Sequence, residues 1–312
     1  MAITQRTNPT SHIDLLPTAR RPWRVVAFSV AAGVLLAILW SYEFVDKVIG
    51  DNVANALLGH DAKETAIGGT VAGLVFAFVS GLAGTFTACN IAMAASIGPM
   101  SHAGAVRDER RSELATLLRP LGWMTLGMVI VSGLYGFVGV LIGDGLPQLS
   151  TETVGDMPVR IVQSSVVFGI IGLGFVYLGL AALKVLPDPF EHRPAARVFV
   201  LGALVGGFVI GRPYPLFNKL FHWAADTGNP FYGAGAFILQ SLGNVAIVSV
   251  LFALIVLVSR GGFLRWFAGN PRRAVLISGS LLLALGVFTV VYWDIRVPSM
   301  FGFGWFPRMP YN

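Results

Sequence analysis

The sequence predicts an all-α integral membrane protein with seven transmembrane helices. The chain is 55% hydrophobic and only 12% charged over 312 residues, and its mean hydropathy is +0.71. Several uncharged runs reach the roughly 18–20 residues that a helix needs to cross a bilayer. The basic residues also gather in alternate connections between these runs, as they do in multi-pass proteins.

The hydrophobic runs set the predicted spans and the charges set their direction. We predict spans at residues 24–45, 66–100, 120–143, 160–186, 198–223, 232–259 and 274–295. Basic residues cluster before the first span and after the second, fourth and sixth spans. The positive-inside rule makes those connections cytoplasmic. We therefore expect a protein of the cell's inner (cytoplasmic) membrane, with its N-terminus in the cytoplasm and its C-terminus outside.

The first span is predicted to be an uncleaved anchor, because its apolar region is longer than the 7–15 residues of a secretory signal. The linker after it has apolar residues at near-helical spacing, which predicts a short helix. That helix would either lie on the outer membrane surface or pack on the bundle. The apolar positions are Val48, Ile49, Val53, Leu57 and Leu58.

The six later spans divide into two units of three, residues 65–186 and 197–295. Three is odd, so the second unit must cross the membrane in the opposite sense to the first, which is the pattern of an inverted repeat. The predicted organisation is therefore a leader, anchor and outer linker at 1–64, a membrane core at 65–295 and an aromatic extracytoplasmic tail at 296–312.

Each unit opens with a glycine-rich helix that is interrupted. The first reads SGLAGTFTACNIAMAASIGPM, Ser80 to Met100, and contains Cys89, the only cysteine of the chain, followed by Asn90 and later by Pro99. Broken helices at membrane depth are tolerated where they are buried in protein or line a watery cavity. Such breaks mark candidate substrate paths in inverted-repeat proteins.

The second interrupted helix reads LVGGFVIGRPYPLF, Leu204 to Phe217, where Pro213 and Pro215 flank Tyr214. Neither proline can continue a regular helix. Aligning the two segments on Gly81 and Gly206 sets Cys89 opposite Tyr214. The alternative interpretation of the prolines is a kink used only for packing.

Polar residues within the spans supply the candidate chemistry. Arg212 is a functional candidate because ionisable groups in membranes are costly. A nearby cation such as Arg212 would make the Cys89 thiol reactive, although a lone cysteine also serves as a small packing residue. Gln240 and Asn244 share a helix face and either line a path or bond neighbouring helices. Lys219 is expected to snorkel to the outer surface.

The sequence lacks the patterns of several other functions. It has no phosphate-binding glycine loop, no zinc-ligand spacing and no Ser/His/Asp set in a soluble domain, and its histidines fall in loops or at a span end, which disfavours a haem pair. We therefore predict no cofactor and no nucleic-acid partner; the lipid bilayer is the predicted environment. The soft ligands Cys89, Met93 and Met100 are weak candidates for copper(I).

These segments resemble the membrane domain of the CcdA/DsbD family, which carries electrons to extracytoplasmic thiols, notably for cytochrome c maturation. FVSGLAGTFTACNIAMAASIGPM (78–100) and GRPYPLF (211–217) resemble the family's two cysteine helices, and FGIIGLGFVYLGLAALKVL (168–186) resembles its third helix. The resemblance implies a six-span core of two inverted triplets over residues 65–295. It also implies a thioredoxin-like or other extracytoplasmic redox protein as partner.

The chain departs from this family at the reacting positions. Tyr214 stands where the family has its second cysteine, and Ala88 and Asn90 flank Cys89 where a proline is usual. A single thiol cannot cycle between a dithiol and an internal disulfide. The resemblance therefore implies the fold without the two-cysteine shuttle, as in divergent members such as the MauF-like proteins of methylamine utilisation.

Three functions fit the sequence, each closer to transport, electron relay or maturation than to a classical enzyme. The first is support of thiol-redox maturation of an extracytoplasmic redox protein, with Cys89 forming mixed disulfides. The second is transport of a small solute or metal ion through the region of Cys89 and Tyr214. The third is a non-catalytic assembly factor whose aromatic tail, residues 301–311, docks a partner.

Overall fold

The computed structural model describes residues 22–84, 113–258, 270–307 and 309, and these residues are almost entirely helical. The helices are α1 (Pro22–Leu39), α2 (Asn52–Leu58), α3 (Gly69–Ala83), α4 (Glu113–Ile142), α5 (Val159–Ala182), α6 (Pro194–Gly211), α7 (Pro215–Asp226), α8 (Pro230–Val258), α9 (Pro271–Val290) and α10 (Val297–Met300). Wider π-helical turns cover Glu43–Asp51 and Val291–Arg296, and a 3₁₀ turn covers Gly143–Gly145. A two-stranded hairpin joins β1 (Thr153–Val154) to β2 (Met157–Pro158).

Four stretches of these helices are long and apolar enough to cross a membrane, so the prediction of an α-helical membrane protein agrees with the fold. They are Arg119–Ile142, Val159–Ala182, Pro194–Gly211 and Val275–Met300. A fifth arises if Trp23–Leu39 and Glu43–Leu58, which meet at a 71° bend, form one span. Large apolar side chains such as Phe28, Ile170 and Phe231 are exposed on the bundle, as expected of lipid-facing positions.

The helices pack in a continuous series, in which each helix lies against the next in the order α1, α9, α5, α6, α4, α8 and α3. Their contacts fix the relative directions. Met124 and Met128 of α4 face Gly202 and Gly206 of α6, so α4 and α6 run parallel. The glycines of α5 and α9 pair in reverse order, so these two helices run antiparallel. Close contacts between α4 and α8 and between α5 and α6 also pair in reverse order, so α4, α5, α6, α8 and α9 alternate in direction along the chain.

Two apolar clusters fill the interior. The first lies among α1, α4, α5, α6 and α9, and its largest members are Phe168, Phe175, Phe288 and Tyr292. The second lies around α3, α7 and α8, where Leu220, Phe221 and Phe237 are fully buried. α7 lies against α3, α4 and α8, and its buried face includes Leu216, Leu220 and Ala224.

The predicted linker helix packs on the bundle. Residues 43–65, which we call the strap, consist of the π-helical turn, α2 and the loop that follows Gly59, whose φ is +73°. Ala54 and Ala62 are 1% exposed and join the second apolar cluster. The Asn55 side chain accepts a hydrogen bond from the backbone N–H of Ala62 (2.8 Å) and so folds the loop back onto α2.

Candidate functional site

The predicted break lies between α6 and α7. α6 ends at Gly211, Arg212 and Tyr214 have extended backbone (ψ of 107° and 137°), and Pro215 occupies the first turn of α7. Pro213 disfavours helical backbone at Arg212 and lacks an N–H, which accounts for the end of α6. Proline suits the start of α7 because the first N–H groups of a helix have no partner within the helix.

Two glutamine side chains bind the carbonyl groups that the break leaves open. Gln163 of α5 donates to the carbonyl of Ile210 (2.8 Å), and Gln148 donates to the carbonyl of Arg212 (3.0 Å). Tyr135 of α4 in turn donates to the side-chain oxygen of Gln148. Buried carbonyl groups without partners are costly at membrane depth. These contacts therefore stabilise the broken geometry.

Arg212 faces the end of α3. Its Nη2 donates to the carbonyl of Gly84 (3.3 Å), and its guanidinium lies over the ring of Phe217, 4.5 Å from the ring centre. A methyl group built on Gly84 would lie 2.7 Å from Nη1 of Arg212 and 3.1 Å from Oδ1 of Asn244. Arg212, Gly84 and Asn244 therefore meet at one point. Among the described residues, no carboxylate pairs with Arg212.

Gln240 and Asn244 lie on the α3-facing side of α8, one turn apart. Gln240 is fully buried, and its amide donates to the hydroxyl of Ser80 on α3 (3.4 Å). Asn244 is 8% exposed and lies beside Gly84. Gln240 therefore joins two helices, and Asn244 belongs to the surroundings of Arg212.

A small cavity lies beside Arg212, between α4, α6 and α8. Its volume of about 10 Å³ for a water-sized sphere is close to the minimum that holds one water molecule. Ser241 is 1% exposed, and its hydroxyl has no hydrogen-bond partner among the described residues. The lining residues are Met128, Val205, Phe208, Val209, Arg212, Ser241 and Asn244.

Tyr214 faces the strap. Its hydroxyl donates to Oδ1 of Asp51 (3.1 Å), and the other oxygen of Asp51 forms an ion pair with Lys63. Lys219, one turn further along α7, donates to the carbonyl groups of Ala62 (2.8 Å) and Lys63 (2.9 Å). The polar groups of α7 thus bind the strap, and Lys219 finds partners in protein carbonyl groups.

The first interrupted segment is described as far as Gly84, which contacts Arg212. Cys89, Asn90 and Pro99, as well as the weak copper candidates Met93 and Met100, lie outside the described residues. The described part of the chain has no group of three His, Cys, Asp or Glu residues that could hold a metal ion.

The sequence predicted the break and the site residues Arg212, Gln240 and Asn244 but not the residues that stabilise them. Gln148 lies in a connection and Tyr135 in an apolar span, and no local pattern marks Gln148 as the donor to Arg212 or Tyr135 as the donor to Gln148. Asp51 lies in the linker, where the sequence pattern singles out only apolar positions. The available sign of these partners in the sequence is that each is a polar residue within or close to an otherwise apolar span.

Comparisons of the chain with protein-family models, with curated proteins and with solved structures found no match. The arrangement of residues at the break is therefore the basis for a functional proposal.

Proposed function

We propose that this chain is a CcdA/DsbD-like multi-pass membrane protein that supports thiol-redox maturation of an extracytoplasmic redox protein. The observation that carries this proposal is the hydrogen bond from Arg212 to the carbonyl of Gly84 (3.3 Å). Gly84 stands five residues before Cys89 in the sequence. The cation is therefore held at the end of the helix that leads to the single thiol.

A nearby cation favours the thiolate form of cysteine and so lowers the pKa of the thiol. In the proposed reaction, the Cys89 thiolate attacks a disulfide of the partner, an S–S bond forms with one partner sulfur, and the other sulfur leaves as thiolate. A thiolate of a reduced, dithiol-containing thioredoxin-like protein then attacks the partner sulfur of this mixed disulfide and releases Cys89 as thiolate. The second thiol of that protein attacks the new mixed disulfide and frees the remaining partner sulfur as thiolate. The partner's disulfide is thus reduced to two thiols while the dithiol is oxidised to a disulfide, and Cys89 is regenerated.

Matched helix contacts support the inverted repeat in this proposal. A methyl group on Gly81 of α3 would lie 2.0 Å from the carbonyl oxygen of Gln240 on α8. A methyl group on Gly202 of α6 would lie 1.9 Å from the carbonyl oxygen of Met124 on α4. Exchanging α3 with α6 and α8 with α4 thus gives the same contact.

The same exchange matches the neighbouring glycines. A methyl group on Gly243 of α8 would lie 2.3 Å from the carbonyl oxygen of Phe78. A methyl group on Gly127 of α4 would lie 2.2 Å from the carbonyl oxygen of Phe199. The spacing from Gly243 to Gln240 equals the spacing from Gly127 to Met124, so both contacts follow one register.

The crossing of α5 and α9 is consistent with the same two-fold relation. A methyl group on Gly286 would lie 2.6 Å from the backbone nitrogen of Val176, and one on Gly179 would lie 2.6 Å from that of Leu283. Exchanging α5 with α9 turns each of these two contacts into the other, so both follow the same alignment of the two helices. Two units, α3–α4–α5 and α6–α8–α9, fit the inverted repeat, and the alternating directions of the helices fit seven spans with the N-terminus inside.

The register of these contacts differs from the alignment made on sequence. It pairs Gly81 with Gly202 and not with Gly206, four residues later. Continued along the sequence, it would not set Tyr214 opposite Cys89, and the Tyr214 hydroxyl binds Asp51. The proposal therefore gives the role beside Cys89 to Arg212 and treats Tyr214 as a structural residue. Transport ranks second, since the cavity beside Arg212 has room for only about one water molecule.

The test measures alkylation of Cys89 by a small permeant maleimide from pH 6 to 9 in purified wild-type protein, Arg212→Gln and the exposed control Arg272→Gln. We expect Arg212→Gln to move the labelling profile to higher pH and Arg272→Gln to leave it unchanged. In cells, acid quenching should trap a reductant-sensitive adduct with wild-type protein but not with Cys89→Ser. An unshifted profile together with no adduct would refute the redox proposal, and solute uptake in proteoliposomes would then test transport.

A further inference from the structure

The cavity beside Arg212 is small. It holds about 10 Å³ for a water-sized sphere, and one of its wall residues, Ser241, is 1% exposed. A molecule larger than water fits in this cavity only if a neighbouring element moves. In the described part of the chain, the cavity is lined by α4, α8 and the end of α6, and the break is also contacted by α3, α5 and the strap.

The main helices are poorly suited to such movement. α3 contacts α8, and α4 contacts α6, through glycines whose backbone atoms approach those of the neighbouring helix closely. Such contacts are tightly packed and tolerate little displacement. The strap, in contrast, contributes two small buried side chains, Ala54 and Ala62, and the partly buried Val53 and Leu58 to the second apolar cluster. Segments with few buried apolar contacts open at the lowest free-energy cost.

Polar contacts hold the strap against the break. The Tyr214 hydroxyl donates to Asp51 (3.1 Å), and Asp51 also pairs with Lys63. The backbone at Gly50 approaches this hydroxyl so closely that a methyl group there would lie 2.6 Å from the tyrosine oxygen. Lys219 binds three carbonyl groups of the loop that ends the strap, those of Ala62, Lys63 and Thr65. Both fastenings therefore come from the short helix α7 and the residue just before it.

We propose that the strap, residues 43–65, is a gate over the break, and that Asp51 and Tyr214 form its latch. Release of the latch opens a route to Arg212 from the end of the bundle at which α3 begins. The Lys63 side chain is 33% exposed and that of Asp51 is 18% exposed, so the latch lies within reach of solvent. The gate does not depend on the chemistry of Cys89.

The test uses a cysteine introduced by Ser241→Cys on a Cys89→Ala background. This substitution changes the cavity wall little, and the serine hydroxyl gives up no hydrogen bond to a described residue. An impermeant methanethiosulfonate reagent is added to right-side-out and to inside-out vesicles, and the labelling rate is measured. Tyr214→Phe and Asp51→Asn open the latch. Tyr177→Phe, whose hydroxyl binds the carbonyl of Pro187, is the matched control.

We expect slow labelling with the latch intact, a rise on the order of 5-fold for Tyr214→Phe, and a rise of about tenfold for Asp51→Asn, because Asp51→Asn weakens the hydrogen bond from Tyr214 and also removes the ion pair with Lys63. The rise should occur from one side of the membrane only, and Tyr177→Phe should match the unaltered background. Equal rates in latch and control variants, or equal increases from both sides, would overturn the gate.

A second variant keeps the test decisive if Tyr214→Phe or Asp51→Asn fails to fold. Lys63→Gln removes the ion pair from its exposed side, and Lys184→Gln is its matched control, because Lys184 forms an exposed ion pair with Glu191. Faster hydrogen exchange across residues 43–65 in Lys63→Gln alone supports the gate. Unchanged exchange in both variants counts against it.

Discussion

Replacing Gly202 by alanine tests the helix contacts most directly. The added methyl group would lie 1.9 Å from the carbonyl oxygen of Met124 and 2.8 Å from its Cα, both backbone atoms of α4. An ordinary contact is about 3.4–4 Å. Because backbone atoms cannot rotate away, α4 and α6 must separate by more than 1 Å, and a forced fit of this kind costs about 1–3 kcal/mol.

Gly122→Ala is the matched control, because this glycine of α4 has no atom near the added methyl group. Alanine is favoured over glycine in a helix by about 0.8–1 kcal/mol, so Gly122→Ala should stabilise the protein. The measurement is thermal unfolding in detergent, followed by circular dichroism. We expect a lower midpoint for Gly202→Ala and an equal or higher one for Gly122→Ala. A Gly202→Ala variant as stable as Gly122→Ala would refute the close approach of α4 and α6.

Two further predictions concern the strap and α1. Arg296 is 1% exposed and donates to the carbonyl groups of Ala37 and Trp40 (2.7 Å for Trp40). Arg296→Met should therefore lower the free energy of unfolding by about 3 kcal/mol and speed hydrogen exchange at the end of α1. The control Arg272→Met, at an exposed position, should do neither. Backbone N–H groups of Glu64 and Lys63 hold the pKa of Asp61 below its ordinary value. These hydrogen bonds stabilise the folded strap fully above the unfolded-state pKa of about 3.9, and the stabilisation is lost as the pH falls through the lower pKa of the folded state. Protection of the strap from hydrogen exchange should therefore decline only in acid. Asp61→Asn should abolish that pH dependence.

The helices and the break were predictable because their signals are local. Uncharged runs define helices that can cross a bilayer, and Pro213 and Pro215 interrupt α6 wherever the surrounding fold places them. The close helix contacts were also indicated, since glycines at positions such as Gly202 and Gly206 allow backbones to approach. The alignment of the second unit on the first was not predictable, because Gly202 and Gly206 lie four residues apart and match Gly81 equally well in sequence.

The polar contacts at the break could not be predicted, because their partners come from distant parts of the chain. Asp51 and Tyr214 are 163 residues apart, and Gln148 and Arg212 are 64 apart. In a membrane helix, a buried carbonyl group must find a donor somewhere, but sequence spacing does not say which one. Gln148 therefore looked like an ordinary residue of a connection until the fold placed it against the break.

The two side chains that flank Pro213 point to different partners, and this separation bears on how the break works. Arg212 binds the carbonyl at the end of α3, whereas Tyr214 binds the strap. The cation is thereby fixed to the helix that leads to Cys89, and the element that covers the break is fixed to α7. Opening the strap would break the contact of Tyr214 and leave the contact of Arg212 intact. Access to the break and the electrostatic setting of Arg212 can therefore change independently, which is why variants of Asp51 and of Arg212 should give separable effects.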